Sequence, residues 1–504
     1  MITRLTNLYK SYLGLISLSK EEKEFINNYQ NLIIKKNTNE KKIIVQCVED
    51  YFYIALFSLV IQNEKTTNVY GYMTIPLNLN LIDYILILPF LVKKILYRLR
   101  IIKFKKLYGA IGVKHFINPD KSSSVVNFKL IFKTIKLFFK IKTKDELLKF
   151  KIDNILVGDL IYDTCVRYNK NLPTLNLSSY IYFKFLLKTL KYYSFTNLFF
   201  NSQKFEKAFF SQAVYINHGL PSRILVSKGV NVFAGNYVQM FKSITKDHLY
   251  MEPRFHLYKK EFNKNFSKQE RDLGFKKFSE RFMGKNDNGV VEFYEINPYL
   301  NKKNIRINNE LEGVLFLHDF YDSQKLGGKV IFNDFYEWAT FTLDLIEQND
   351  LKIGIKPHPH NLTTESAKTV EILKRKYSSL IWISPDTSNN IIFDSGIKFG
   401  ISHHGTVISE LAYNDIVPIC CAENPTSSFD FTYQAKSISE YEKLILESGT
   451  LTLKNKNEVG EFYYMHYINN KSDYKIYNDS IDGINIKNIN RFTMKPSDLL
   501  KLKN

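Results

Sequence analysis

Cysteine is scarce and unpatterned in this 504-residue chain. Cys47, Cys165, Cys420 and Cys421 form neither a CxxC motif nor a framework of pairs. That excludes a disulfide-stapled module and a cysteine-held zinc ribbon, and it fits a reducing, cytoplasmic compartment. Long apolar runs are missing as well. The run from Tyr84 to Val92 is nine residues long and contains Pro89, whereas a bilayer span needs about 20. No apolar stretch of signal-peptide length follows Met1-Ile2-Thr3-Arg4, so no signal peptide is expected. The nucleotide and hydrolase loops with fixed spacing are absent too: no Walker GxxxxGK[ST], no well-placed GxGxxG, no GxSxG and no HExxH. A P-loop ATPase, a simple dehydrogenase and a serine hydrolase are therefore unsupported. Acidic residues fall short of basic ones, 50 against 70, and the net charge of +20 calls for an anionic partner.

Phe and Tyr are abundant, at 39 and 33 residues. Alongside many Lys, Asn and Ile, this reads partly as the bias of an AT-rich genome, so aromatic content alone marks no site. The length is too great for one core and suggests two domains. Residues 1–40 read as a charged helical leader. Strand Lys42 to Val48, helix Tyr53 to Ile61 and strand Val69 to Ile75 make a βαβ opening. Residues 81–150 read as a basic helical insertion. Lys93, Lys94, Arg98, Arg100, Lys103, Lys105 and Lys106 are interleaved with apolar residues, and Lys129, Lys133, Lys136 and Lys140 share one helical face. Basic amphipathic helices of this kind suit an anionic membrane surface, with ordinary solvated surface helices as the alternative. No helix-turn-helix, zinc or RNP-like signature supports nucleic acid as the partner.

Between 151 and 240 the α/β rhythm returns. Ile155 to Asp159 reads as a strand, Lys204 to Ser211 as a helix leading into strand Ala213 to Asn217, residues 221–229 as a helix and Val230 to Phe233 as a strand. A second α/β domain opens at Gly313 to Asp319. It continues through helix Asp334 to Glu347, strand 353–357, helix Ser366 to Lys376, strands 380–383 and 397–401, helix 405–413 and strand 416–420.

Two stretches in that second domain carry the chemistry. Ile353-Gly354-Ile355-Lys356-Pro357-His358-Pro359-His360 ends a strand in a stiff polar turn. Ile401-Ser402-His403-His404-Gly405-Thr406 runs into a helix containing Glu410. Parallel sheets bind ligands at such strand ends. The Gly405-Thr406 turn suits a phosphate, Glu410 suits the hydroxyls of a ribose, and His358 suits a phosphate, a sugar carboxylate or a proton transfer. His360, Ser402 and His404 are further candidates for donor binding. The adjacent histidines point to opposite faces, so no metal site is expected. Candidate acids for base or nucleophile are Asp159, Asp163 and Asp319, with Asp322 nearby, and helix capping is the ordinary alternative for each. His218 and Arg223 are candidates for contacts to an acceptor in the first domain.

The set Val157-Gly158-Asp159-Leu160-Ile161-Tyr162-Asp163-Thr164, Asn217-His218-Gly219, Leu317-His318-Asp319, Lys356-Pro357-His358-Pro359-His360 and Ser402-His403-His404-Gly405-Thr406 with Glu410 resembles bacterial surface and capsular polysaccharide biosynthesis proteins. These are similar to GT-B glycosyltransferases and, more distantly, to the Kdo transferases of capsule assembly and the glycerophosphotransferases of teichoic acid synthesis. The resemblance spans about residues 150–445. It implies an α/β fold of two Rossmann-like domains facing a cleft. Along the chain these are expected as an acceptor domain at 41–305 and a nucleotide-sugar domain at 306–445, with a Lys/Asn-rich tail at 446–504 packing back on the first. The resemblance implies a metal-independent glycosyltransferase needing no cofactor. The donor would be a CMP-, UDP- or CDP-linked sugar and the acceptor a polysaccharide or lipid-linked glycan, with the enzyme resting on the inner face of the cytoplasmic membrane. A sugar-nucleotide epimerase of the same fold and a non-catalytic subunit of an assembly complex are the rival readings.

Overall fold

The computed structural model describes residues 16–33, 39–74, 90–119, 128–169, 171–235, 241–251, 254–283, 310–323, 325, 328–359, 364–469, 472–476, 480–481, 484–485 and 494–499. Two open sheets organise them. The first contains β1 (Asn39–Cys47), β2 (Thr66–Met73), β3 (Val113–Ile117), β4 (Lys207–Phe210), β5 (Asn231–Ala234) and β6 (Lys242–Ile244), in the order β3-β2-β1-β4-β5-β6. All neighbours are parallel except the β5–β6 pair. The second contains β7 (Gly313–Phe316), β8 (Ile353–Lys356), β9 (Phe399–Ser402), β10 (Val417–Cys420) and β11 (Tyr433–Gln434), in the order β8-β7-β9-β10-β11 and parallel throughout. Each is a doubly wound Rossmann-like sheet.

The central strands are short apolar runs because helices cover both faces. Ile43, Ile44 and Val45 of β1 are fully buried, and so are all four residues of β7, β8, β9 and β10. The principal helices are α1 (Lys20–Ile33), α2 (Tyr51–Glu64), α3 (Phe90–Ala110), α4 (Phe128–Lys140), α5 (Gly158–Tyr168), α6 (Tyr180–Asn201), α7 (Leu220–Ser227), α8 (Lys268–Phe282), α9 (Phe335–Gln348), α10 (Thr364–Lys376), α11 (Val407–Tyr413) and α12 (Asn457–Tyr463). Helix α2 is apolar all round and buried from Phe52 to Ile61. It is an inner helix, and Phe25 of α1 and Ile101, Phe104, Leu107 and Tyr108 of α3 share its core.

The basic stretch 93–106 therefore differs from the expected insertion. It lies in α3, which precedes edge strand β3 and packs against the first domain's core. Lys103 is buried against Glu22 (2.8 Å), Arg100 pairs with Glu49, and Lys105 lies over the Phe116 ring. The side chains of Lys93 and Lys94 lie outside the described residues. A run with mixed charged and apolar residues reads as a surface helix until long-range partners such as Glu22 are known.

Two other expectations change. Residues 151–156 form a small antiparallel hairpin, and Gly158 opens α5 instead of prolonging a strand. A Cβ at Gly158 would sit 1.6 Å from the Leu147 carbonyl oxygen, so only glycine fits there. The stretch 204–217 is reversed in kind. Lys207–Phe210 is strand β4, and Tyr215–Gly219 is a wide helical turn. Short apolar runs are ambiguous by periodicity. Here the buried Ala208-Phe209-Phe210 fits the slot between β1 and β5, a pleated environment that favours aromatics.

The chain's last third returns to both domains. Helix α12 crosses α8 at a glycine pair, where a Cβ on Gly274 would meet the Gly460 carbonyl oxygen at 2.0 Å. Beyond it, Tyr474 packs against Phe209 and Phe233 of the first sheet and donates to Glu64. The Asp473 N–H donates to the Phe241 carbonyl (2.7 Å), and the Ser243 N–H donates to the Asp473 carboxylate (2.8 Å). Leu499 is buried in the first domain's core.

Candidate functional site

An open α/β sheet binds ligands in the crevice outside the strand ends where its winding reverses. In the second domain that point lies between β7 and β9. Strand β7 runs into Leu317-His318-Asp319, β9 into His403-His404-Gly405-Thr406, and β8 beside them into Pro357-His358. Residues far apart in sequence thus meet at one edge.

His318 stacks on Phe335 and on His404, with centroids 4.8 and 4.7 Å apart. The His404 backbone N–H points at His318 Nε2 (3.5 Å), and Ser402 Oγ lies 3.3 Å from the same nitrogen. Nε2 therefore accepts, and His318 carries its proton on Nδ1. His403 is fully buried, with Nδ1 2.9 Å from Nδ1 of His404. Burial drives all three imidazoles toward the neutral form. His318 and His403 fall well below the ordinary histidine range, with neighbouring histidines adding to the shift, and His404 falls to about 4. His358 contributes to the depression of His318, so it belongs to the same electrostatic neighbourhood. A Cβ on Gly405 would come within 3.0 Å of Ser402 Oγ and 3.3 Å of His318 Nε2, so a side chain there would press on both. Thr406 is exposed at the rim, while Ser402 is buried. His360 lies outside the described residues.

Glu410 sits beneath that rim. It is buried on α11; its carboxylate accepts from Asn389 (3.0 Å) and Thr406 (3.5 Å), and Arg281 of α8 lies 3.4 Å away. Lys356, the last residue of β8, is buried nearby, and its ammonium donates to the Pro385 carbonyl (3.4 Å). Burial lowers its pKa to about 8, with Glu410 and Asp386 opposing the shift. Lys356 and Arg281 were not singled out from sequence. The first was visible as the one charged residue inside a buried strand; the second had no signal beyond an ordinary amphipathic helix.

In the first domain the winding reverses between β1 and β4, and His218 lies there. Gln46 of β1 fixes it. The Gln46 side-chain oxygen accepts from the Ser211 N–H (2.8 Å) and hydroxyl (2.7 Å). Its NH₂ therefore faces Thr74 Oγ1 (3.0 Å) and His218 Nδ1 (2.8 Å). Because the Ser211 N–H can only donate, the amide orientation follows, His218 Nδ1 must accept, and the ring proton resides on Nε2. Gln46, also missed from sequence, was legible as a polar residue within an apolar core strand. Tyr215, one turn earlier, holds φ of +58°, a strained value for a bulky residue.

Asp159 and Arg223, expected as a catalytic acid and an acceptor contact, are instead brought to each other. Arg223 donates two bonds to the Asp159 carboxylate (2.7 and 2.6 Å), Tyr250 donates a third (2.8 Å), and both charges are buried. Burial pushes the Asp159 pKa up, but Arg223 and Tyr250 outweigh it and hold the group ionised. A carboxylate so saturated is a structural anion and a poor base. Asp163 lies on the seam between domains, accepting from Ser323 and from Lys325 (3.0 Å). Tyr162 and Thr174 bond Asp334, and Lys144 bonds Glu337 across the same seam. Asp319 accepts from the Tyr321 N–H (2.9 Å), which closes the turn after β7. Beside Tyr250 a cavity of about 720 Å³ opens between the domains, with Arg254, Lys329, Lys436 and Lys454 in its lining.

No protein-family model and no curated protein sequence matches the chain. Solved structures do. HepE of Anabaena in complex with UDP and glucose aligns over 85% of this chain and 96% of its own, at 8% identity and a TM-score of 0.28. The UDP-GlcNAc 2-epimerase of Neisseria meningitidis bound to UDP-GlcNAc aligns over 84% and 98%, at 10% identity and a TM-score of 0.24. The corresponding Methanocaldococcus jannaschii enzyme, in complex with UDP-GlcNAc and UDP, aligns over 84% and 98%, at 13% identity and a TM-score of 0.22. These likenesses are loose, and the two Rossmann-like sheets are read from the strand orders themselves.

Proposed function

We propose that the chain is a glycosyltransferase of GT-B type that holds a nucleotide-sugar donor on its second domain and a glycan acceptor against its first. The observation that carries this is a convergence. His318, Lys356, His358, His404, Gly405, Thr406 and Glu410 come from three separate strand ends and a helix, yet gather at the winding reversal of the second sheet. His218 is held at the corresponding reversal of the first. In this reading the Gly405-Thr406 rim and Lys356 receive the phosphate. Glu410 receives the ribose, exchanging its bonds to Asn389 and Thr406 for ribose hydroxyls. The neutral histidines line the sugar pocket without adding positive charge, and His218 offers Nε2–H to an acceptor or sugar oxygen. The surface polysaccharide or lipid-linked glycan suggested by the family resemblance remains the proposed acceptor.

The test is a thermal-shift screen of the purified chain against CMP, CDP, UDP, GDP and their sugars. A ligand at about 100 times its Kd stabilises by about 2.7 kcal/mol. A selective shift for one nucleotide, weakened at least tenfold in affinity by Glu410→Gln, is the expected result. No shift with any of them, or an unchanged affinity in Glu410→Gln, overturns the donor site. Product analysis then separates transfer to an acceptor from epimerisation of the free sugar nucleotide.

A further inference from the structure

We infer that helix α4 is a docking face for an anionic lipid bilayer. It carries its own apolar strip on the outside of the protein. Phe128, Phe132 and Phe139 are 74%, 69% and 63% exposed, and Ile135 is 38% exposed. Their spacing of 4, 3 and 4 residues places them on one line along the helix. Leu130, Leu137 and Phe138 occupy a different side and pack into the first domain's core, so burial of that side leaves the Phe strip unused.

Each strip residue is followed directly by a lysine: Lys129, Lys133, Lys136 and Lys140, all exposed. The helix holds no acidic residue. An apolar line edged by a parallel line of cations fits an interface of acyl chains below and anionic headgroups above. On α6, which packs against α4, Tyr180 is 78% exposed and Leu198 70% exposed. A second copy of the chain would bring lysine rows against one another, which disfavours self-association. At 13 residues, or about 20 Å, α4 lies along a membrane and is too short to cross one. None of the described helices is long and apolar enough to cross a membrane.

The anchor so assigned is one of the two that charge alone suggested. Of the two basic segments, α3 spends Lys103 and Arg100 on internal partners, and α4 presents its cations outward together with aromatics. The inference stands independently of the donor chemistry.

Flotation of the full chain with vesicles tests it, comparing phosphatidylcholine alone with phosphatidylcholine containing phosphatidylglycerol, at low and high salt. The wild type should float with the anionic vesicles only. Lys133→Gln with Lys136→Gln should weaken partitioning about 25-fold, at about fivefold per lysine. Phe132→Ser with Phe139→Ser should weaken it by about a hundredfold or more, since both rings leave the interface. All four positions are exposed, so unchanged thermal unfolding and circular dichroism certify the variants. Failure of the wild type to bind, or loss of binding in the lysine variant with full binding in the phenylalanine variant, overturns the inference. So does a wild-type dimer that the phenylalanine variant converts to monomer without any vesicle binding, because the face would then belong to a second copy. Capture of an acidic protein by α4 in the absence of vesicle binding likewise overturns it.

Discussion

Acid should destabilise this protein well before its carboxylates protonate, because the second domain keeps histidines neutral at the ends of β7 and β9. An unfolded histidine takes up a proton as pH falls through about 6.5. Burial holds His318 and His403 far below that and His404 at about 4. Their contribution is therefore intact above pH 6.5 and is lost as pH falls, until the folded-state pKa values are reached. Between pH 7 and 5 each histidine that stays neutral in the fold costs about 2 kcal/mol, by integration of the proton difference. Fully buried His403 alone sets the lower figure. All three together give about 6 kcal/mol, with solvent near the partly exposed His318 and His404 pulling the total down. A loss of about 2–6 kcal/mol is a large share of the about 5–15 kcal/mol that holds a typical protein folded. Urea unfolding at pH 7, 6 and 5 should show a midpoint that falls steeply across this range, and His403→Gln should flatten the slope. A midpoint independent of pH between 7 and 5, or an NMR titration of the His403 ring near 6.5, refutes the reasoning.

Two further predictions concern buried charges. Arg223→Met should destabilise the first domain by about 3–5 kcal/mol in urea unfolding, because Asp159 stays buried with only Tyr250 as a side-chain partner. The double variant Asp159→Asn with Arg223→Met should recover much of that loss, and additivity of the two single changes would argue against a coupled pair. Lys356→Met should behave in the opposite sense. Its folded pKa of about 8 lies below the unfolded value, so the wild type carries a penalty at neutral pH that fades as pH rises from about 8 toward 10.5. The variant should therefore be more stable than wild type at pH 7 and lose that advantage by pH 10, while its affinity for nucleoside diphosphates falls at least tenfold by calorimetry.

The second domain was readable from sequence because its strands are four-residue apolar runs broken by polar turns and alternating with helical stretches, the pattern of a two-sided parallel sheet. Lys356-Pro357-His358 and Ser402-His403-His404-Gly405-Thr406 stand at the ends of such runs, so their position at the crevice followed. Less could be read in the first domain. Ala208-Phe209-Phe210 is a strand only because β1 and β5 flank it. Asp159 and Arg223 each looked available because nothing local reveals a bidentate partner 64 residues away. The basic stretch of α3 looked like surface for the same reason: Glu22 and Glu49, which neutralise part of it, lie in other elements. Periodicity reports the environment a helix needs and is silent about which partner supplies it.

The chain passes between its two domains twice, and the passages are tied together where Asp473 bonds Phe241 and Ser243. Two chain passages fixed side by side constrain the relative rotation of the lobes more than one would, as two pins constrain a door. A rotation that opened the seam around Asp163 and Lys325 would have to turn about the line through both passages to leave these bonds intact.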